Sequence, residues 1–262
     1  MRLSRFVIPV SALLLASCGV DDSPTVNNRP DLAGVRFINA LVDAGPVDAR
    51  MVDQTQWSAY ALGINFRQSG ILMPAQAGAR PIRVWTASNV LDDIELLIEQ
   101  TVNITAGQNV TLLLTGSVAG GTARIEVIPD AVPDSTAGQI HVRAVNASDV
   151  AADVSWVDGG GASAPASVGP LGTSAYIARP TGPVTASFAV AGDAGGPREA
   201  ASPAGEVRDD GIGNTAGHLA SGSALSAYIF PPSAPGSLAP QGAAFQVPGV
   251  VWFVDRVPAP PR

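Results

Sequence analysis

The sequence predicts an all-β protein built as two tandem immunoglobulin-like β-sandwich domains, and three observations carry that expectation. Twenty-eight Gly and twenty-two Pro make up about a fifth of the 262 residues, a content that interrupts helices and favours short strands joined by turns. Apolar and polar residues alternate with period two along much of the chain. One hexapeptide pattern, V-R-x-[IV]-N-A, occurs twice, as Val35–Ala40 and as Val142–Ala147, at an offset of 107.

The first element is an export segment. Residues 1–17 open with Arg2 and Arg5 and continue through an apolar run from Phe6 to Ala16, about eleven residues long. That is the plan of a secretory signal peptide and falls well short of the roughly twenty residues of a membrane-crossing helix. Leu15-Ala16-Ser17-Cys18 resembles the lipobox of bacterial lipoproteins, in which the cysteine thiol is alkylated with diacylglycerol and the chain is cut on its amino side. The resemblance implies acyl chains, palmitate among them, on Cys18, and two or more such chains hold a protein stably on a bilayer. In lipoproteins of this kind an Asp after the cysteine favours inner-membrane retention; Gly19 stands there, which favours the outer membrane. Cys18 is the only cysteine, so no internal disulfide can form. Residues 18–33 are rich in Asp, Asn and Pro and lack periodicity, as expected of a flexible tether.

The composition also excludes partners. All fifteen basic residues are Arg, and without Arg2 and Arg5 thirteen remain against twenty-two acids. A surface of that sign repels phosphate backbones, so no nucleic-acid partner is expected.

Two domains follow, at 34–130 and 139–257. Val47–Asp53 aligns with Ala152–Asp158, Ile82–Trp85 with Val184–Ser187, and Ala106-Gly107 before Val110–Leu114 with Ser221-Gly222 before Leu225–Ile229. Val47, Ala49 and Met51, and then Ala152, Val154 and Trp156, are expected in a core, with Asp48, Arg50, Asp153 and Ser155 facing water, as in antiparallel sheets solvated on one face. Ile94, Leu96, Ile98, Val102 and Ile104 share the inward parity of a strand that could locally pass for a helix. The stretch 192–217, with its many glycines, is expected to be an exposed loop.

The repeated V-R-x-x-N-A strand, the short acidic loop and the V-D-x-x-x-V-D segment at Val47–Asp53 resemble the bacterial family of domains of unknown function 4397. That resemblance implies an exported β-sandwich, often in tandem; the family has no established activity, so it transfers a fold and an address only.

Candidate sites are few. Asn39 and Asn146 stand where a strand yields to a turn, and an Asn there bonds backbone two residues on. His141 and His218, the only histidines, lack the partners of a zinc site, and His141 reads as a surface residue beside Arg143. Asp92-Asp93 and Asp209-Asp210-Gly211 lack the spacing of a calcium loop. No nucleophile elbow or phosphate loop is present, so no catalytic residue, cofactor or metal is expected. Trp57, Tyr60 and Trp85 are the one aromatic cluster suited to ligand contact. The expected function is therefore a non-enzymatic, lipid-anchored envelope protein in a structural or protein-interaction role, with glycan or small-ligand binding as the alternative.

Overall fold

The structure, a computed structural model, describes residues 30–207 and 215–256. Cys18, the export segment, residues 18–29 of the tether, Asp209-Asp210-Gly211 and residues 257–262 lie outside the described residues. The chain divides into Met1–Pro30 and a compact unit Asp31–Arg262, which holds every described strand.

The first half contains β1 (Leu32–Leu41), β2 (Val47–Met51), β3 (Tyr60–Ile64), β4 (Met73–Gln76), β5 (Gly78–Thr86), β6 (Leu96–Ile104), β7 (Asn109–Gly116) and β8 (Arg124–Pro129). They form two sheets, ordered β4-β1-β7-β8 and β3-β2-β5-β6. Val35, Phe37, Leu112 and Leu114 from one meet Val47, Ala49, Ile82 and Val84 from the other, all within 1 % exposure. Each of these side chains larger than Ala49 contributes about 1.5–3 kcal/mol by leaving water.

The second half repeats this plan. Its strands are β9 (Gln139–Asn146), β10 (Ala152–Asp158), β11 (Gly161–Ala162), β12 (Ala166–Val168), β13 (Ile177–Pro180), β14 (Thr185–Val190), β15 (Arg198–Ala201), the short pair β16 (Glu206–Val207) and β17 (Thr215–Ala216), then β18 (Ala224–Phe230) and β19 (Gly249–Arg256). The sheet β13-β9-β18-β19 packs on β11-β10-β14-β15, with β12 beside β10, around Ile140, Val142, Val154, Trp156, Phe188 and Leu225.

The correspondence extends to single hydrogen bonds. Gly107 and Gly222, both with left-handed φ (73° and 87°), end equivalent turns and donate their N–H to Leu32 and Gln139, the first residues of β1 and β9. The paired registers Ala49↔Val84 and Val154↔Phe188 make Phe188 the counterpart of Val84. The expected match of Ile82 with Val184 is therefore two residues out of register, and Ala186 is its true counterpart. Expected core positions on β2 and β10 are buried as predicted.

Four expectations need correction. First, the sandwiches are not antiparallel throughout: β1–β7 and β9–β18 are parallel pairs, whereas the sheets of β2 and β10, for which antiparallel pairing was expected, are antiparallel. Secondly, the sheets holding those pairs are not solvated on one face. Ile38, Ala40, Leu113 and Ile128 on the outer face of the first pack directly on Val145, Ala147, Tyr228 and Phe230 of the second. The compact unit is thus four layers deep, with two inner sheets meeting at a seam and two outer sheets. Strands buried on both faces become near-continuous apolar runs, which explains Leu112-Leu113-Leu114. Thirdly, Leu96 is 50 % exposed because a bulge opposite Val84 and Trp85 shifts parity, leaving Ile98, Val102 and Ile104 inside; Leu91–Asp93 before it is a 3-10 turn. Fourthly, the stretch expected as a loop contributes β15 as a fourth strand beside β14.

Candidate functional site

The outer sheet of the first half presents one open face. Arg50 lies opposite Tyr60 and Asp48 opposite Trp85, so two rings sit on the same side of the sheet with β2 between them. Leu62, two residues from Tyr60, and Leu96, opposite Trp85, complete an apolar diagonal; Tyr60 and Leu62 are 46 % and 58 % exposed and Trp85 is half-buried. An ion pair between Arg83 and Glu99 (2.8 Å) borders it. Trp57 is not on this strand face. It lies in the loop before β3 with φ 54°, its carbonyl accepting the Gln76 N–H at 2.8 Å. The structure therefore joins Tyr60 and Trp85 and sets Trp57 apart. The equivalent face of the second half is polar and small, with Asp153, Ser155, Ser187 and Ala189 at the positions of Asp48, Arg50, Arg83 and Trp85.

The second feature, missed in the sequence, is a buried charge network in the seam. Arg36 donates from Nε to Thr111 Oγ1 (2.8 Å), from Nη1 to the Val254 carbonyl (2.9 Å) and from Nη2 to Asp255. Arg143 does the same in mirror: Nε to Ser226 Oγ (2.7 Å), Nη1 to the Pro129 carbonyl (2.8 Å) and Nη2 to Asp130. Thr111 donates on to Asp130 at 3.1 Å, and Ser226 to Asp255. Each arginine thus bonds the aspartate of the other half, and Asp130 stands 3.4 Å from Arg36 as well. All four charged groups are under 9 % exposed. Two cations and two anions leave the cluster neutral, the condition under which burial of charge is tolerated.

Burial acts against the charge on Arg36, but the fields of Asp255 and Asp130 outweigh it and hold its pKa above the ordinary value. The Asp130 carboxyl is raised, first by burial and then by Asp255, against the pull of Arg36 and Arg143. Tyr228, fully enclosed beside the cluster, is pushed up to about 12 by burial, and its hydroxyl finds no hydrogen-bond partner among the described residues. The sequence signal was available: both arginines occupy the second position of the repeated hexapeptide, and the side of the strand that carries Arg143 was expected to face water.

That sidedness also misplaced His141. It points away from its own sandwich, as expected, yet is only 6 % exposed; burial and then Arg256 lower its pKa. His218 is buried too, with Nδ1 2.9 Å from Ser202 Oγ. Asn39 and Asn146 are fully buried turn caps, their Oδ1 atoms accepting the N–H groups of Leu41 and Ser148, two residues on, at 3.0 Å each. Asp92 and Asp93 are exposed. Among the described residues no group of three or more His, Cys, Asp or Glu side chains is placed to hold a metal, and no helix is long and apolar enough to cross a membrane.

Arg67, with φ 64°, forms a further clasp across the seam. Its guanidinium donates to the carbonyls of Ala244 (3.0 Å), Pro231 (2.8 Å) and Val247 (2.7 Å), between the rings of Phe66 and Phe245. Burial without a carboxylate lowers it to about 10.

No curated protein matches this chain. Residues 33–157, which take in both copies of the V-R-x-[IV]-N-A strand, match the model of the family described as Domain of unknown function (DUF4397), and a domain of that family is found there.

Proposed function

We propose that this chain is a non-enzymatic lipoprotein of the bacterial cell envelope, acylated at Cys18, held by those acyl chains on the outer membrane, and presenting its outer sheet to an envelope protein. The observation that carries the contact role is the asymmetry between equivalent faces. Tyr60, Leu62, Trp85 and Leu96 put large apolar groups on one outer sheet, beside Asp48, Arg50 and Arg83, while Ser155, Ser187 and Ala189 give the other only small side chains at the corresponding places. Exposed apolar patches rimmed by charge mark interaction sites on soluble domains, and the clasped seam makes the body behind the patch stiff.

Anchoring is tested by mass spectrometry of the protein made in a bacterial host. A diacylated N-terminal Cys18 in the membrane fraction is expected, with Cys18→Ser moving to the aqueous fraction; an unmodified thiol on a fully aqueous wild-type chain sinks the anchoring. Contact is tested by placing a photo-crosslinking residue at Leu62 or at Ser187 in living cells. A discrete adduct at 62 and none at 187 is expected, and equal labelling removes the argument from asymmetry.

A second reading, glycan binding, is favoured by the placement of Tyr60 and Trp85 on one face, because ring faces stack on sugars while Asp48 and Arg50 between them offer hydrogen bonds. A thermal shift with one polysaccharide, lost in Trp85→Ala, is its expected signature, and no shift with any envelope polysaccharide ends it.

A further inference from the structure

The two arginines of the seam differ in the ring that stacks on them. In the second half Tyr176 lies with its ring on Arg143, 4.7 Å from ring centroid to guanidinium carbon, and its hydroxyl donates to Asp255 Oδ2 at 2.7 Å. The counterpart of Tyr176 follows from backbone pairing. Gly70 donates to Phe37 as Ser174 does to Ala144; Ser69 bridges Ile38 as Thr173 bridges Val145; Met73 pairs with Val35 as Ile177 does with Val142. Leu72 therefore stands where Tyr176 stands, and among the described residues Arg36 has no counterpart of the Tyr176 ring.

A cavity fills that place. It measures about 210 Å³, is bounded by Arg36, Asp130, Leu72 and the Trp252–Asp255 segment, and has Ile71, 72 % exposed, at its mouth. This is smaller than the roughly 300–1,000 Å³ of sites for drug-sized molecules, and suits a single ring. The acceptor is also in place. Asp255 Oδ2 receives both Ser226 and Tyr176, whereas the corresponding oxygen of Asp130 receives Thr111 and has no phenol.

We propose that the cavity over Arg36 is a receptor site for a phenol group, which would stack on the Arg36 guanidinium and donate its O–H to Asp130. Both interactions gain from desolvation: a cation over a ring face is attracted most strongly out of water, and a hydrogen bond to a carboxylate is about twice as strong as a neutral one. A tyrosyl side chain of a partner and a free phenolic compound share this chemistry.

Saturation-transfer NMR on the full chain with 4-methylphenol, toluene and the peptide glycyl-tyrosyl-glycine tests the proposal. Binding of 4-methylphenol is expected, with toluene roughly tenfold weaker for want of the charge-assisted hydrogen bond. The indole N–H of Trp252 is expected to shift during the titration. Leu72→Tyr supplies the ring from within and is expected to abolish binding while raising the Tm. Peptide binding alongside the small phenol identifies a protein tyrosine as the occupant; the small phenol alone identifies a free phenolic. The proposal is overturned if 4-methylphenol gives no signal, if toluene binds equally, or if the Trp252 resonance stays still. This last readout needs no variant, so it decides even if Leu72→Tyr fails to fold.

Discussion

Arg36 and Arg143 hold equivalent places in two copies of one hexapeptide, and each ends on the aspartate of the opposite copy. The exchange ties β1 to β19 and β9 to the end of β8, so neither sandwich keeps its charges satisfied alone. Removing one arginine strands a carboxylate in a dry seam, a change that costs about 3–5 kcal/mol. Arg36→Ala and Arg143→Ala should each lower the urea midpoint by a comparable amount, and the double variant by less than their sum, because both act on one network. Wild-type unfolding should be a single transition by circular dichroism and by tryptophan fluorescence. Two separate transitions, or strict additivity, would contradict a shared network.

The Arg67 clasp predicts a local effect. Its guanidinium holds the segment between β18 and β19 by three short bonds to carbonyls, so Arg67→Met should release that segment before it unfolds the rest. Limited proteolysis should cut between residues 231 and 248 in the variant and spare them in the wild type. Equal resistance in both would show that the aromatic contacts of Phe66 and Phe245 suffice.

Much of this architecture was legible in the sequence and one part was not. Strand alternation on β2 and β10 and the doubled hexapeptide revealed the repeated unit, because period two reports which residues share a face. Periodicity does not report what covers the other face. His141, beside Arg143, was therefore read as a surface residue, although both are buried. The continuous apolar runs at Leu112-Leu113-Leu114 and Tyr228-Ile229-Phe230 carried the missing information, since a strand solvated on one side has no need of apolar residues at both parities. The sequence singled out Trp57, Tyr60 and Trp85 as one cluster, but joining Tyr60 with Trp85 required the registers of β3 and β5, as the ring on Arg143 and its lack of a counterpart on Arg36 required those of β4 and β13.

Asp43 links stability to pH. One oxygen accepts the Ser117 hydroxyl (2.6 Å) and the Ala119 N–H (2.9 Å), the other the Val118 N–H (2.9 Å). Partial burial raises its pKa, but these bonds outweigh burial and leave it below the ordinary carboxylate value. The folded state therefore binds this proton less readily than the unfolded one. The resulting stability is present above about pH 4, the unfolded value, and is lost as pH falls through the depressed folded value. Asp43→Asn should destabilise the protein at pH 7 by about 1–2 kcal/mol and lose that penalty as pH falls below 4. A penalty equal at pH 7 and pH 3 would assign it to shape and not to charge.

Asn39 and Asn146 cap equivalent turns with unequal numbers of bonds. Asn39 Nδ2 donates to the Ile64 carbonyl at 3.0 Å, while Asn146 Nδ2 contacts the carbonyls of Val150 (2.7 Å), Gly169 (3.0 Å) and Val168 (3.2 Å). A buried partner left unsatisfied costs about 1–3 kcal/mol, so Asn146→Ala should destabilise more than Asn39→Ala. Replacement of Asn146 by an acid separates hydrogen bonding from shape. The acid keeps the volume and the Oδ1 acceptor, but its ionised form turns a second acceptor towards carbonyl oxygens in a site without solvent. The folded state should then hold the introduced carboxyl protonated, with its pKa above the unfolded value. Stability of Asn146→Asp should be greatest below about pH 4 and fall as pH rises through the elevated folded pKa. Chemical denaturation across the acid-to-neutral range reads this directly, and a flat profile would mean that the turn opens to water when the amide is lost.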